Sequence, residues 1–244
     1  MRGERIYNVD TFVIPFFTML TTLEKPATWQ QSMLDSVVAI TQAENGDFAE
    51  IDRLVEISSD PHSLALTIEY LSQFPHCQSA LTHCQPLDAI TSGASEAIDL
   101  AALHQLPIDT LGYHYADYML SHQLEHLAAP PAASAAEFID THMRETHDIW
   151  HIVTGSPISM LGEIQLQAFC VAQLQLSRFW LALLTKNLLK AAIYDIEAAD
   201  GYMTALTTGW MMGKAAQPLF GVDWVSMWEM PLAQVRVSLG LKVA

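Results

Sequence analysis

The sequence predicts an all-α protein, a single-domain helical bundle that extends over residues 1–244. Apolar residues recur at helical spacing in most segments, and no segment of useful length alternates polar and apolar residues as a half-buried strand does. Start and stop signals for helices recur along the chain. The 244 residues are 51% hydrophobic and contain no linker long enough to divide them. One large hydrophobic core is therefore expected.

Short helices separated by turns are predicted in the first half of the chain. Asp60 and Thr110 are suitable capping residues, and Pro61 suits a first helical turn. Residues 75–95 are rich in turn formers and cannot be assigned, and the Ala/Pro-rich residues 128–132 predict a loop. The helices predicted here cover residues 27–42, 48–57, 61–74 and 110–122.

Longer helices are predicted in the second half. One extends from about residue 135 to 153, and another covers about 197–214. Between them lies an unusually apolar helix from Pro157 to about 193, whose glutamines are scattered around its circumference. A helix without a polar stripe is buried, so this helix is expected at the centre of the bundle or at a subunit interface. Asp223 is expected to cap a short last element.

Four residues with metal-ligating side chains lie close together in the sequence at His147, Asp148, His151 and Glu163. Residues four apart share one face of a helix, so the two histidines can approach the same ion. The intervening Thr-Gly-Ser-Pro segment at 154–157 predicts a helix stop and restart. Because the turn lies midway between Glu163 and the histidines, Glu163 is expected to face the gap between them. The sequence therefore predicts a metal site between two consecutive helices.

Two imidazole nitrogens and two carboxylate oxygens suit a divalent transition metal. Zinc is the first choice, with iron, manganese, cobalt and magnesium as alternatives. Arg144 lies one turn before His147 on the same face and is a candidate contact for an anionic ligand or cofactor. A salt bridge between Arg144 and Glu145 or Asp148 is the alternative.

Two other groups of potential ligands carry weaker signals. The segment His122–His126 has the H-x-x-E-H pattern of some zinc proteases, but it lies at a predicted helix end beside the Ala/Pro-rich break. His76–Cys77 and His83–Cys84 form two pairs, and zinc modules usually have tighter spacing. We therefore favour the site at residues 147–163.

The HDIWH-x11-E pattern, with Thr154–Gly155 inside it, resembles the signature of the coenzyme Q biosynthesis protein 4 family. Further matches bring the resemblance to about residues 105–242, whereas residues 1–100 match only loosely. These matches are Leu106–Pro107, Thr110–Gly112, Tyr115, Pro218–Leu219, Trp224, Trp228–Glu229, Pro231–Leu232, Val235–Arg236 and Leu239–Gly240.

This resemblance implies that His147, Asp148, His151 and Glu163 bind a divalent metal. It also implies a step of ubiquinone assembly, in which a prenylated benzoate loses its ring carboxylate and is hydroxylated at that carbon, and contact with other quinone-biosynthesis proteins. Two alternatives remain open. One is a non-catalytic isoprenoid-lipid carrier or scaffold, and the other is a metallophosphohydrolase, which would need further His and Asp ligands that are not identifiable.

Charge and composition limit the partners. The net charge of −16 argues against nucleic acid and against an electrostatic attachment to anionic lipid. Three cysteines are too few for a disulfide framework and favour a reducing, cytoplasmic location. The apolar segment Phe12–Leu20 is too short to span a bilayer; burial is the favoured interpretation, with shallow membrane insertion as the alternative. A prenylated lipid substrate predicts peripheral membrane contact, and the high apolar fraction predicts a homodimer.

Overall fold

The computed structural model describes residues 28–42, 48–58, 61–84, 87, 98–126, 132–175 and 177–243. These ranges are helical with short connections and contain no strand, so the all-α prediction is confirmed. The helices are α1 (Thr28–Gln42), α2 (Phe48–Ser58), α3 (Pro61–Leu71), α4 (Pro75–His83), α5 (Leu100–Leu103), α6 (Leu111–Ser121), α7 (Ala135–Thr154), α8 (Met160–Leu174), α9 (Arg178–Tyr194), α10 (Ala199–Ala215) and α11 (Leu232–Ser238), with 3₁₀ turns at Ile196–Ala198 and Val225–Met227.

The predicted helix from Pro157 to about residue 193 is wrong as a single element, because it is two helices. The first, α8, begins at Met160 rather than at Pro157, since the Ser159 side chain accepts a hydrogen bond from the Gly162 N–H and caps it. It ends at Leu174, where Gln175 has a positive φ of 37°. The sequence at this break contains no glycine or proline, and the residues on both sides are equally apolar, so no local signal indicated that the helix ends. In the unassigned region, α4 forms from Pro75 to His83.

Helix α8 is buried because α9 and above all α10 pack against it. Two glycines of α10 allow close contact between the backbones. A Cβ at Gly209 would lie 1.9 Å from the Gln165 carbonyl oxygen, and one at Gly213 would lie 2.8 Å from the Phe169 carbonyl oxygen. Side chains larger than hydrogen cannot fit there. The apolar surface of α8 is therefore part of the core.

Helix α7 carries the histidine motif and is fastened at both ends. Ser134 accepts a hydrogen bond from the Glu137 N–H at its start. At its end, the Arg236 guanidinium of α11 donates hydrogen bonds to the carbonyls of Ile152 and Val153 at 2.8 and 3.0 Å. The Ile152 carbonyl also accepts from the Gly155 N–H at 3.2 Å, so Arg236 adds a second donor there and supplies a donor from another element to the Val153 carbonyl.

In the described part of the chain, no helix combines the length and the apolar character needed to cross a membrane. Large apolar side chains are nonetheless exposed on α9, on α10 and in the turn between them. They are Leu181, Leu189, Ile193, Tyr194, Ile196, Met203, Trp210 and Met211. The predicted apolar segment Phe12–Leu20 lies outside the described residues.

Candidate metal centre

The connection between α7 and α8 brings the motif residues together. Gly155 ends α7 in the left-handed region, with φ at 69°. The next residue, Ser156, is buried, and its hydroxyl contacts Thr154 Oγ1 at 2.9 Å and accepts a hydrogen bond from Gln165 Nε2 at 3.0 Å. Ser156 therefore links the end of α7 to α8 one half-turn beyond Glu163. Local hydrogen bonds set the distance between the two helices at this point.

Three potential ligands converge across this turn. Nε2 of His151 lies 3.2 Å from Nε2 of His147 and 3.1 Å from Oε1 of Glu163. One ligand atom from each residue lies within 4.8 Å of the other two. Glu163 thus faces the histidine pair, as the position of the turn predicted.

A hydrogen bond at the ring nitrogen that faces away from the cluster fixes the orientation of His151. Its Nδ1 donates a hydrogen bond to the Ser156 carbonyl oxygen at 2.9 Å. Nε2 is the atom that faces His147 and Glu163: in the charged imidazolium it donates a hydrogen bond to Glu163, and in the neutral ring with its proton on Nδ1 it presents a lone pair that can bind a cation. This arrangement, in which the second ring nitrogen contacts a carbonyl, is typical of histidines that bind metals.

The electrostatics of the three residues are coupled. Burial lowers the pKa of His147 to about 4, and the charge of His151 acts in the same direction, against that of Glu163. Burial also lowers the pKa of His151, but its hydrogen bond to Glu163, the charges of Glu163 and Asp148 and its contact with the Ser156 carbonyl together outweigh this and raise the pKa. Burial raises the pKa of Glu163, but His151, His147 and Lys186 together hold it below its usual value. Glu163 is therefore ionised at neutral pH.

Two other predicted site residues are not among the three converging ligands. Asp148 is half-buried beside the cluster but is not one of the three converging residues. Burial raises the pKa of Asp148, and the charge of Glu163 adds to this while that of His151 opposes it. Arg144 is exposed on α7. The lysine whose charge acts on Glu163 is Lys186 of α9, which is half-buried.

The two weaker groups of potential ligands, at residues 122–126 and 76–84, are not part of this cluster and make other contacts. His126 contacts the Tyr115 hydroxyl at 2.9 Å, while His122 and Glu125 are exposed. Cys77 donates its thiol proton to the Phe220 carbonyl, and His76 contacts the Pro218 carbonyl. Within the described ranges, the grouping of three suitable ligands is His147, His151 and Glu163.

Aromatic rings from two other helices cover the histidines. Trp180 of α9 stacks on His147, with ring centroids 6.3 Å apart and an interplanar angle of 14°. Tyr118 of α6 stacks on His151 at 6.1 Å and 26°. Burial raises the pKa of Tyr118, and the charges of Asp148 and Glu163 raise it further, so its hydroxyl remains protonated. Sequence reasoning missed both rings, since nothing in the local pattern connects them to the motif.

The donor set suits a divalent cation. Two imidazole nitrogens and a carboxylate oxygen within 4.8 Å of one another are electron-rich atoms that repel unless a proton or a cation lies between them. Zinc and the other first-row divalent metals accept this combination of ligands, and three protein ligands leave a position for a substrate atom. His147, His151 and Glu163 are therefore able to hold such an ion.

Comparison with known proteins is consistent across sequence and structure. The sequence model of the family described as "Coenzyme Q (ubiquinone) biosynthesis protein Coq4" matches residues 18–244. A mitochondrial ubiquinone biosynthesis protein COQ4 homolog 1 from Culex quinquefasciatus is 26% identical over 159 residues, which are 61% of this chain and 53% of that protein. The mitochondrial ubiquinone biosynthesis protein COQ4 of Eremothecium gossypii is 28% identical over 155 residues, covering 60% of this chain and 46% of that protein. The chain thus spans about half the length of these relatives.

A crystal structure of a candidate ubiquinone biosynthesis protein from Nostoc punctiforme has the same fold. Its TM-score is 0.74 at 22% sequence identity, and the alignment covers 86% of this chain and 97% of that one.

Proposed function

Because the chain belongs to the Coq4 family of coenzyme Q (ubiquinone) biosynthesis proteins, we propose that it carries out a metal-dependent step on a prenylated benzoate. The observation that supports this most directly is the convergence of His147, His151 and Glu163 within 4.8 Å. The proposed reaction replaces the ring carboxylate with a hydroxyl group. The hydroxyl oxygen comes from water, the carboxyl group leaves as CO₂ with release of two protons, and two electrons pass to an external oxidant.

The residues of the site would have different roles in this reaction. His147 and His151 would bind the ion through Nε2 and Glu163 through a carboxylate oxygen, with Asp148 proposed as a further oxygen ligand. A divalent ion held there, zinc in the first instance and iron, manganese, cobalt or magnesium otherwise, would act as a Lewis acid on the ring carboxylate or phenolate. The rings of Tyr118 and Trp180 would exclude water from the histidines.

Two cationic side chains are candidates for orienting an anionic head group. Lys186 is half-buried, and its charge acts on Glu163, so a substrate carboxylate beside Glu163 would be within its field. Burial lowers the pKa of Lys186 and Lys190 lowers it further, whereas Glu163 opposes both. Arg144, the candidate predicted from sequence, is exposed on α7. We expect Lys186→Met to weaken binding of a substrate carboxylate more than Arg144→Met does.

Metal content and product formation test this proposal. Wild-type protein should hold about one equivalent of zinc by elemental analysis, whereas His151→Ala and Glu163→Ala should lose roughly 10–100-fold or more in affinity. The control is His122→Ala, an exposed histidine outside the cluster. Wild-type protein given a prenylated hydroxybenzoate and an oxidant should release CO₂, and both site variants should not. Equal zinc content in wild type and His151→Ala would contradict the metal site.

The second candidate is a non-catalytic isoprenoid-lipid carrier or scaffold of a quinone-biosynthetic complex. The exposed apolar side chains on α9 and α10 favour it, since such surfaces commonly contact lipid or a partner. Mass spectrometry of co-purifying lipid separates the two functions. A prenylated aromatic acid that is converted on incubation supports catalysis, whereas a bare prenyl lipid that remains unchanged supports carriage.

The same surface supports peripheral membrane contact and self-association. Membrane contact through apolar side chains should be weak and insensitive to salt in liposome flotation. Binding to anionic vesicles that salt abolishes would contradict it. A homodimer would bury apolar surface symmetrically, and a monomer by light scattering at micromolar concentration would contradict that. The cytoplasmic location and single-domain organisation predicted from sequence stay predictions.

A further inference from the structure

Two glutamines are buried on helix α8, and their hydrogen bonds differ in kind. Gln173 bonds to backbone groups, donating to the Gly213 carbonyl and accepting from the Leu219 N–H, both at 2.8 Å. These bonds hold α10 and the segment after it against α8. Gln167 is equally buried, but it bonds to side chains. A buried amide that contacts other side chains is not explained by helix packing alone.

Gln167 connects the candidate metal centre to helix α9. Its Nε2 donates to Oε2 of Glu163 at 3.5 Å, and its Oε1 accepts from Nδ2 of Asn187 at 2.8 Å. Asn187 is also buried. Oε1 of Glu163, the other carboxylate oxygen, lies 3.1 Å from His151 Nε2. The polar contacts thus extend from α7 through Glu163 and Gln167 to Asn187.

The direction of the hydrogen bonds in this series is determined by the charge of Glu163. An ionised carboxylate only accepts hydrogen bonds, so Gln167 must present its NH₂ group to Glu163 and its carbonyl oxygen to α9. Asn187 must then present its own NH₂ group. Its Oδ1 is left buried without a donor among the described residues, although an unsatisfied buried oxygen costs free energy. The arrangement therefore supplies a hydrogen-bond donor to the Glu163 carboxylate and leaves the Asn187 carbonyl oxygen without one.

We propose that Gln167 and Asn187 are positioning residues that hold the Glu163 carboxylate with Oε1 toward the histidines and Oε2 away from them. This inference rests on the proposed metal site and specifies how that site is built. Glu163 would bind the ion through Oε1 alone, because Oε2 is engaged by a neutral amide. The Glu163 side chain is 35% exposed and flexible by itself, so contacts at both carboxylate oxygens are needed to restrict it.

The chain provides a matched control for a test. Gln167→Met replaces the amide with an apolar side chain of similar length. Gln173→Met makes the same change on the same helix at an equally buried glutamine that does not touch Glu163. Because Gln167→Met leaves the Asn187 NH₂ group unpaired, the double variant Gln167→Met/Asn187→Leu removes both polar partners and protects folding.

Zinc affinity, measured by competition with a chromophoric chelator, and the visible spectrum of the Co²⁺-loaded protein report on the ligand geometry. Gln167→Met and the double variant should bind zinc roughly 10–100-fold more weakly, with an altered Co²⁺ spectrum. Gln173→Met should keep the wild-type affinity and spectrum even if its unfolding midpoint falls.

Wild-type affinity and spectrum in both Gln167 variants would overturn the proposal. So would equal weakening in Gln173→Met, since the effect would then be a general loosening of α8. If wild-type protein binds zinc no better than His151→Ala, the proposed metal site itself is contradicted, and this inference with it. That outcome differs from the two above, in which wild-type protein binds zinc but Gln167 and Asn187 do not position Glu163.

Discussion

The contact between α8 and α10 gives a sharp prediction at Gly209. An added Cβ there would lie 1.9 Å from the Gln165 carbonyl oxygen, whereas Cβ atoms essentially never come closer than 3.0 Å to another heavy atom. The carbonyl belongs to a helical backbone and cannot rotate away, so the two helices must separate by about 1 Å. Overpacking of this kind costs about 1–3 kcal/mol. Since Glu163 lies two residues before Gln165, the same displacement should weaken zinc binding.

Gly201→Ala is the matched control, because Gly201 lies in the same helix. A Cβ there meets Leu161 Cδ2 at 3.4 Å, which is an ordinary contact. Gly201→Ala should therefore stabilise the protein by about 0.5–1 kcal/mol through helix propensity alone. Urea unfolding followed by circular dichroism measures both variants. If Gly209→Ala proves as stable as Gly201→Ala, the helices do not pack as closely as the structure indicates and the argument is refuted.

Three further predictions concern parts of the fold around the site. Burial lowers the pKa of His142 from 6.5 to about 4, so unfolding exposes a stronger base. Its contribution to stability should be complete above pH 6.5 and should fall by about 3 kcal/mol as the pH drops toward 4. His142→Gln should lose less stability over that interval in urea unfolding, and an unchanged acid dependence would contradict this. Arg236→Met should destabilise the protein by about 1–3 kcal/mol, because it removes the two hydrogen bonds that the guanidinium donates to the carbonyls of Ile152 and Val153 at the end of α7; a thermal midpoint equal to that of wild type would count against it. Burial raises the pKa of Cys77 to about 12 and that of Cys170 well above its ordinary value, so iodoacetamide should label half-buried Cys84 first and the other two only on unfolding.

Much of the candidate site could be predicted from the sequence because its ligands are local. His147 and His151 share a helix face by the helical repeat alone, and Gly155 ends that helix wherever the rest of the chain lies. With one short turn between them, Glu163 had to return close to the histidines. Asp148 is not among the three converging residues, since residues adjacent in a helix point in different directions, and its role as a ligand stays a prediction.

The fold class and most helix boundaries are also local properties. Periodicity and capping predicted α1, α2, α6, α7 and α10 to within two residues, because a helix forms hydrogen bonds only within its own turn and the next. The interruption between α8 and α9 escaped prediction because both sides are equally apolar, and a turn without glycine or proline leaves no local mark.

Only the tertiary structure decided what surrounds the ligands. Trp180 over His147, Lys186 near Glu163 and Asn187 beneath Gln167 all come from α9, a helix whose own sequence has no metal-ligand pattern. Helical periodicity indicates which face of α9 is buried but not which helix it is buried against. That choice depends on how whole surfaces fit, as where Gly209 lets α10 contact the backbone of α8, and such complementarity exists only between segments already brought together by folding.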